Sequence, residues 1–489
     1  MHPTTVLFIV AGYFILLLTI SYFTGKNANN ATFFLGNRQS PWYIVAFGMI
    51  SASLSGVTFI SVPGWVMDSN FSYMQIVIGY LLGYAIIANI LMPMYYRLNL
   101  TSIYTYLEKR FGVASYKTGA SFFLLSRLIG AAFRLFLVAN VLQISLFNQW
   151  NVPFEATVVI TILLIWLYTF KGGIRTIIWT DALQTLFMLI AVGVSVYLIG
   201  KELDLSFTGM VNTIAESKHS KIFYFGNWNG QYHFIKQFFS GAFIAVVMTG
   251  LDQDMMQKNL SCRNIKEAKK NMYWFSISLI PVNLLFMSLG ALLIVFAHKE
   301  GIPLPEQSDD LFPVIATQGY LAPVVAFFFI IGLVAAAYSS ADSALTALTT
   351  SFTVDILNTA HMKEKPLKQL RKKVHVGVSI MLAIIILIFN AVNDQSVISA
   401  IFTIAGYTYG PLLGMYTFGL FTKYIAKDKW VPWIAVMSPI LSGIISYNSA
   451  TWFNGYKFGF ELLILNGLIT LTGLFLLRER NKKFDNKAI

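Results

Sequence analysis

Apolar runs of about 20 residues alternate with short polar segments along almost the whole chain, the length a helix needs to cross a bilayer core. About 13 such runs are read, near 5–24, 42–67, 72–96, 114–147, 156–170, 177–199, 234–256, 273–297, 322–352, 375–391, 396–421, 431–447 and 458–477. The pattern predicts an all-α polytopic membrane fold in one transporter-like domain. The longest polar segments, about 200–232 and 299–321, are expected as outside loops holding short helices over an external vestibule.

Three runs break the apolar pattern. In FGMISASLSGVTFISVPG, Ser51, Ser53, Ser55, Gly56, Thr58 and Ser61 crowd the middle of a span. Unwinding there frees carbonyls such as those of Ser51 and Leu54 for a cation and turns a half-helix N-terminus toward an anionic group. VVMTGLDQD, around Gly250, repeats the interruption about five spans later, and paired interruptions point to an inverted-repeat transporter. The third run, AAAYSSADSALTALTT at 335–350, places Ser339, Asp342, Ser343, Thr346, Thr349 and Thr350 on one helical face. Oxygen ligands without nitrogen or sulfur suit a hard cation. A carboxylate at membrane depth costs on the order of 3 kcal/mol, so Asp342 marks an ion pathway.

Composition adds orientation. Hydrophobic residues make up 56% of 489 and charged residues 12%, which excludes a soluble chain, while the net charge of +13 raises the question of a nucleic-acid partner. Most of that charge falls on one side: Lys26, Arg38, Arg97, Lys109, Arg110, Lys171, Arg175, the 258–270 and 363–373 loops, 423–429 and the tail. It sets topology, with that side cytoplasmic and the N-terminus outside, and implies no nucleic acid. The expected location is the cell membrane, a bacterial inner membrane, and the first span reads as a retained helix rather than a signal peptide. Cys262 is the single cysteine, so no intramolecular disulfide forms.

Charges within the spans are candidates for chemistry. Asp181 in IRTIIWTDALQT either snorkels to the interface or faces the 335–350 stripe and completes a second cation site with Ser340, Asp342 and Ser343. Arg127 and Arg134, seven apart, share a helical face; one is expected to pair with a carboxylate and the other to bind substrate. Asp252 and Asp254 are read as gate or interface residues, and His233 and Lys236 receive no role.

Together SASLSGVTFISVPG, GGIRTIIWTDALQ, QDMMQKNLSCRNIKEAKK, AAAYSSADSALTAL followed by FTVDIL, and IAGYTYGPLLGMYTFGLF resemble the sodium/solute symporter family, over about 42–421. The resemblance implies a five-plus-five inverted repeat (42–199 and 233–421), preceded by one extra helix (5–24) and followed by two (430–477) and a tail (478–489). It implies a principal sodium site at the carbonyls of Ser51, Leu54 and Ala336 and the hydroxyls of Ser339 and Ser340. A second sodium site, present in some members, falls at Asp181, Ser340, Asp342 and Ser343, with Ser339 as an alternative to Ser340. Ser55, Thr58 and Arg134 are the implied substrate contacts, and Tyr407 is a further pocket residue. Met248 and Thr249 stand where sugar carriers present aromatic residues, which argues against glucose or galactose.

The expected function is therefore sodium-coupled symport of a small polar solute, anionic or zwitterionic, by alternating access, with sodium and the lipid bilayer as partners. One sodium ion moving through about 100 mV supplies about 2.3 kcal/mol, and a tenfold gradient adds roughly 1.4. Two ions suffice for roughly 10⁵-fold accumulation of a neutral solute, and one for several hundredfold. A proton-coupled carrier using Asp181 or Asp342 is the alternative within transport. A membrane enzyme is disfavoured because the six histidines are scattered and no metal-ligand or His/Asp cluster appears.

Overall fold

The computed structural model of the protein describes residues 3–25, 39–98, 102–169, 174–357, 359, 362–392 and 396–479. Inside a bilayer every backbone N–H and C=O needs an internal partner, and the apolar stretches meet that demand as helices. Helix lies over each stretch expected from the sequence. Six helices are long and apolar enough to cross a membrane, two further pairs qualify as bent spans, and five shorter helices are apolar.

The functional part is built from α1 (Pro3–Gly25), α2 (Trp42–Ser53), α3 (Gly56–Ser69), α4 (Tyr73–Ile86), α5 (Val113–Leu142), α6 (Phe154–Thr169), α7 (Ile174–Glu202), α8 (Phe207–Glu216), α9 (Phe234–Ala245), α10 (Gln253–Leu260), α11 (Ile265–Lys299) and α12 (Pro323–Ser351). After these come α13 (Glu364–Val392), α14 (Val397–Thr408), α15 (Gly410–Phe421), α16 (Val431–Tyr447) and α17 (Leu462–Leu476). The β-structure among the described residues is a two-residue antiparallel pairing of Ile425–Ala426 with Arg478–Glu479. The two long polar segments do carry short helices, α8 and Leu311–Thr317.

Both expected interruptions are present. The first separates α2 from α3, where Leu54 has φ −88° and ψ 21° and Ser55 has φ −16° and ψ 178°. Serines that compete for backbone hydrogen bonds weaken the helix locally. The second follows α9, which runs through a wide turn at Val246–Gly250 and then bends by 70° into α10. Asp252 caps the new helix by accepting the Met255 N–H at 3.1 Å. A smaller bend of 47° separates α14 from α15.

Close backbone approach holds α4 to α9. A methyl group at Gly79 would collide with the Phe238 carbonyl, and one at Gly241 with the Ile76 carbonyl. Small residues at such crossings replace the missing hydrophobic drive between helices in lipid. α7 packs against α2 and α12, and α12 also against α3 and α5, so the 335–350 stripe lies beside the first broken helix.

One expectation is corrected here. The 363–373 run is not a loop: from Glu364 onward it forms the opening turns of α13, because its Lys, Leu, Gln and Arg residues are good helix formers continuing into an apolar span. Likewise, the 258–270 segment holds the end of α10 and the start of α11 rather than an open loop.

Candidate functional site

Two broken helices leave space between them. An open cavity of about 700 Å³ is lined by both breaks, by tyrosines of α4, by Arg127 and Arg134 of α5 and by Phe402 of α14. The structure thus brings together Ser55, Thr58 and Arg134, with Met248 and Thr249 on the opposite wall. Tyr407 is not among them: it lines a second cavity of about 670 Å³ with Trp65, Tyr232 and Phe460. Phe402 borders both cavities.

The two arginines of α5 are in different electrostatic positions. Arg127 is buried and paired, with Nη2 2.6 Å from Asp254 Oδ2 and Nη1 3.5 Å from Asp252 Oδ2. Asp252 also accepts from the Tyr409 hydroxyl at 3.2 Å. Arg134 lines the cavity with no carboxylate partner among the described residues, and its Nε is buried without a hydrogen-bond acceptor. A guanidinium carries donors in a planar fork suited to carboxylate or phosphate oxygens.

The ion pairs continue away from the cavity. Lys258 Nζ lies 2.9 Å from Asp181 Oδ2 and 3.9 Å from Asp254 Oδ2. Asp181 is therefore not at a solvent interface; its side chain and that of Lys258 are each 2% exposed. Lys258 is a site residue the sequence reading missed, having been counted with the basic loop. A signal was present: Asp254 and Lys258 are four apart in QDMMQKNL, the spacing of a helical ion pair beside two methionines.

Around the proposed principal sodium site, Ser51 is wholly buried and its Oγ has no hydrogen-bond partner. Its N–H donates to the Thr185 hydroxyl at 3.1 Å, which lies 3.0 Å from the Phe47 carbonyl and 2.9 Å from that of Asp181. Leu54 sits at the break and lines the cavity, and Ala336 is buried on α12. Ser343 is buried with an unpartnered Oγ. The side chains of Ser339, Ser340 and Asp342 lie outside the described residues.

Beyond the second cavity, Lys236 is also buried, 3.7 Å from Glu461 and with its ammonium 3.4 Å from the Tyr456 ring centroid. Trp65, Tyr73, Phe402 and Phe460 form a ring-to-ring cluster between the two cavities, with centroid separations of 5.6 Å for Trp65–Tyr73 and 5.2 Å for Phe402–Phe460.

Comparison with known proteins agrees with this arrangement. The chain is 26% identical over 444 residues to the sodium/sialic acid symporter SiaT of Proteus mirabilis, covering 85% of this chain and 84% of that protein. It is 26% identical to the sodium/sialic acid symporter NanT of Aliivibrio fischeri, over 90% of this chain and 86% of the relative. Identity to sodium-coupled monocarboxylate transporter 2 of Mus musculus is 23%, over 89% of this chain and 70% of that one. In fold it is similar to a sodium-coupled sialic acid symporter solved in a substrate-bound outward-open state, with a TM-score of 0.79, 21% identity and coverage of 97% and 98%. Paired broken helices around a central cavity, and a sequence profile that matches residues 33–428, make this chain a member of the Sodium:solute symporter family.

Proposed function

We propose that this chain imports a small organic anion or zwitterion by sodium-coupled alternating access, with the negative group of the solute held by Arg134 and by the Ser55 and Thr58 hydroxyls. The observation that carries this reading is the unpaired Arg134 guanidinium in a cavity where its neighbour Arg127 is already neutralised. A buried cation without a partner is costly, and a ligand anion relieves that cost. The printed substrates of the three relatives, sialic acid twice and monocarboxylates once, share a carboxylate.

Sodium is assigned to the first break, between the Ser51 and Leu54 carbonyls and the Ala336 to Ser340 stretch of α12. Holding α2 and α12 together there orders the cavity wall at Ser55 and Thr58, which makes solute binding depend on sodium. The end carrying the aromatic cluster is assigned to the outside, and the end carrying the ion pairs to the cytoplasm, following the distribution of basic residues.

The test is thermal stability of the detergent-purified protein across a library of sialic acids, monocarboxylates, amino acids and sugars, in sodium and in choline buffer. Ligands of the native state raise its apparent stability. Carboxylate hits that need sodium and vanish in Arg134→Ala are expected, followed by sodium-driven uptake of the same solute in proteoliposomes. Hits confined to neutral sugars would overturn the anion assignment. Uptake driven by a pH gradient without sodium would favour the proton-coupled alternative.

A further inference from the structure

We propose that the ammonium of Lys258 is the resident cation of the Asp181 carboxylate and stands where a second sodium ion would otherwise bind, so that one sodium ion is used per cycle. The inference rests on the sodium-coupled reading above and fixes its ion number. Three observations carry it.

The first is contact and burial. Nζ of Lys258 is 2.9 Å from Asp181 Oδ2, and both side chains are 2% exposed. An ammonium carries a full positive charge and three donors, so it supplies to the carboxylate what a bound monovalent metal ion would. A sodium ion added at the same carboxylate would sit against that ammonium in a poorly screened interior, where like charges strongly disfavour each other.

The second is that the ammonium has little claim on it from elsewhere. Asp254, the other acidic group near it at 3.9 Å, is held at 2.6 Å by Arg127. Arg127 also faces Asp252, which is bonded to Tyr409. The chain of charges therefore sorts into two sets: Arg127 serves Asp252 and Asp254, and Lys258 serves Asp181.

The third is rigid placement. α10 packs against α2 and α12. The Lys258 carbonyl accepts from the Ser261 hydroxyl at 2.6 Å. Asn259, the next residue, bonds the Met255 carbonyl at 2.9 Å and receives a bond from Asn271 of α11 at 2.6 Å. The base of the lysine is thus fixed on both sides, and its ammonium reaches Asp181 from a braced helix. A tethered cation of this kind has an effective concentration that a free ion does not match.

The consequence is concentrating power. A single ion supports accumulation of several hundredfold, whereas two support roughly 10⁵-fold.

The experiment counts sodium directly, with radiolabelled sodium as the only probe and equilibrium dialysis of the full-length detergent-purified protein. One ion per chain is expected for the wild type and for Lys258→Arg. Lys258→Met should bind two, and Asp181→Asn with Lys258→Met, in which both charges are removed and folding is spared a buried lone carboxylate, should return to one. Two ions in the wild type overturn the proposal, as does a single ion in a folded Lys258→Met. Sodium binding to none of these proteins would overturn the coupling reading itself, an outcome distinct from the other two. The wild-type and double-variant counts remain decisive should Lys258→Met fail to fold.

Discussion

The two ends of the central cavity are closed by different chemistry. One end meets an aromatic cluster, Trp65, Tyr73, Phe402 and Phe460, whose rings touch edge to face or tilted. The other meets buried ion pairs joining Arg127, Asp252, Asp254, Lys258 and Asp181. Ring contacts weaken gradually as rings slide, and each is worth about 0.5–1.5 kcal/mol beyond its buried area. Breaking a buried ion pair leaves an uncompensated charge, costing about 3–5 kcal/mol. The aromatic end therefore yields in small steps and the ionic end in one large step, as two gates that must not open together require.

The largest effect is expected from Arg127→Ala, which leaves Asp252 and Asp254 without their guanidinium. A loss of about 3–5 kcal/mol is predicted, seen as a large fall in melting temperature or a failure to purify, with Arg127→Lys recovering part of it. Next comes a pH effect at the aromatic end, in the external segment that backs α3. Burial pushes the Asp309 carboxyl up from its ordinary 3.8 to about 6, against the favourable hydrogen bond from the Val397 N–H at 2.7 Å. The native state thus holds a proton there that the unfolded chain has released. Stability should be fully present below about pH 4, fall by on the order of 2–3 kcal/mol as pH rises to about 6, and level off above it. Melting temperatures across pH 4–8 should lose that slope in Asp309→Asn.

Smaller effects belong to the rings themselves. Phe460→Leu should cost about 1 kcal/mol in stability, and equality with Arg127→Ala in the same melting assay would end the distinction between the two gates. Tyr73→Phe, which removes a hydroxyl 3.3 Å from that of Tyr80, should cost about 0.5–1 kcal/mol or less. An unchanged melting temperature together with faster solute release would sharpen the view of this end as yielding.

The sequence was informative where a local pattern has one physical outcome. Apolar runs become helices, and serines with a glycine at mid-span become the break at Leu54 and Ser55. The grouping of Ser55, Thr58 and Arg134 around one cavity was also legible. What escaped depends on the path of the chain after a bend. Lys258 reads as one more basic loop residue until the 70° turn carries α10 back into the protein. Which arginine of α5 is neutralised depends on Asp252 and Asp254, more than a hundred positions away. Tyr407 illustrates the reverse error: its neighbours in sequence line the central cavity, yet the side chain faces the other one.

The segment from Tyr232 to Lys258 touches the second cavity first, then the central one, and ends at the ion pairs. With eight residues, α10 is a rigid arm about 12 Å long at 1.5 Å per residue. A swing of only about 10° at its bend would carry the tip roughly 2 Å on that length, enough to part Lys258 from Asp181. The bend therefore works as a short lever whose fulcrum is the solute cavity, turning a small change of shape around a bound molecule into the making or breaking of a charge contact.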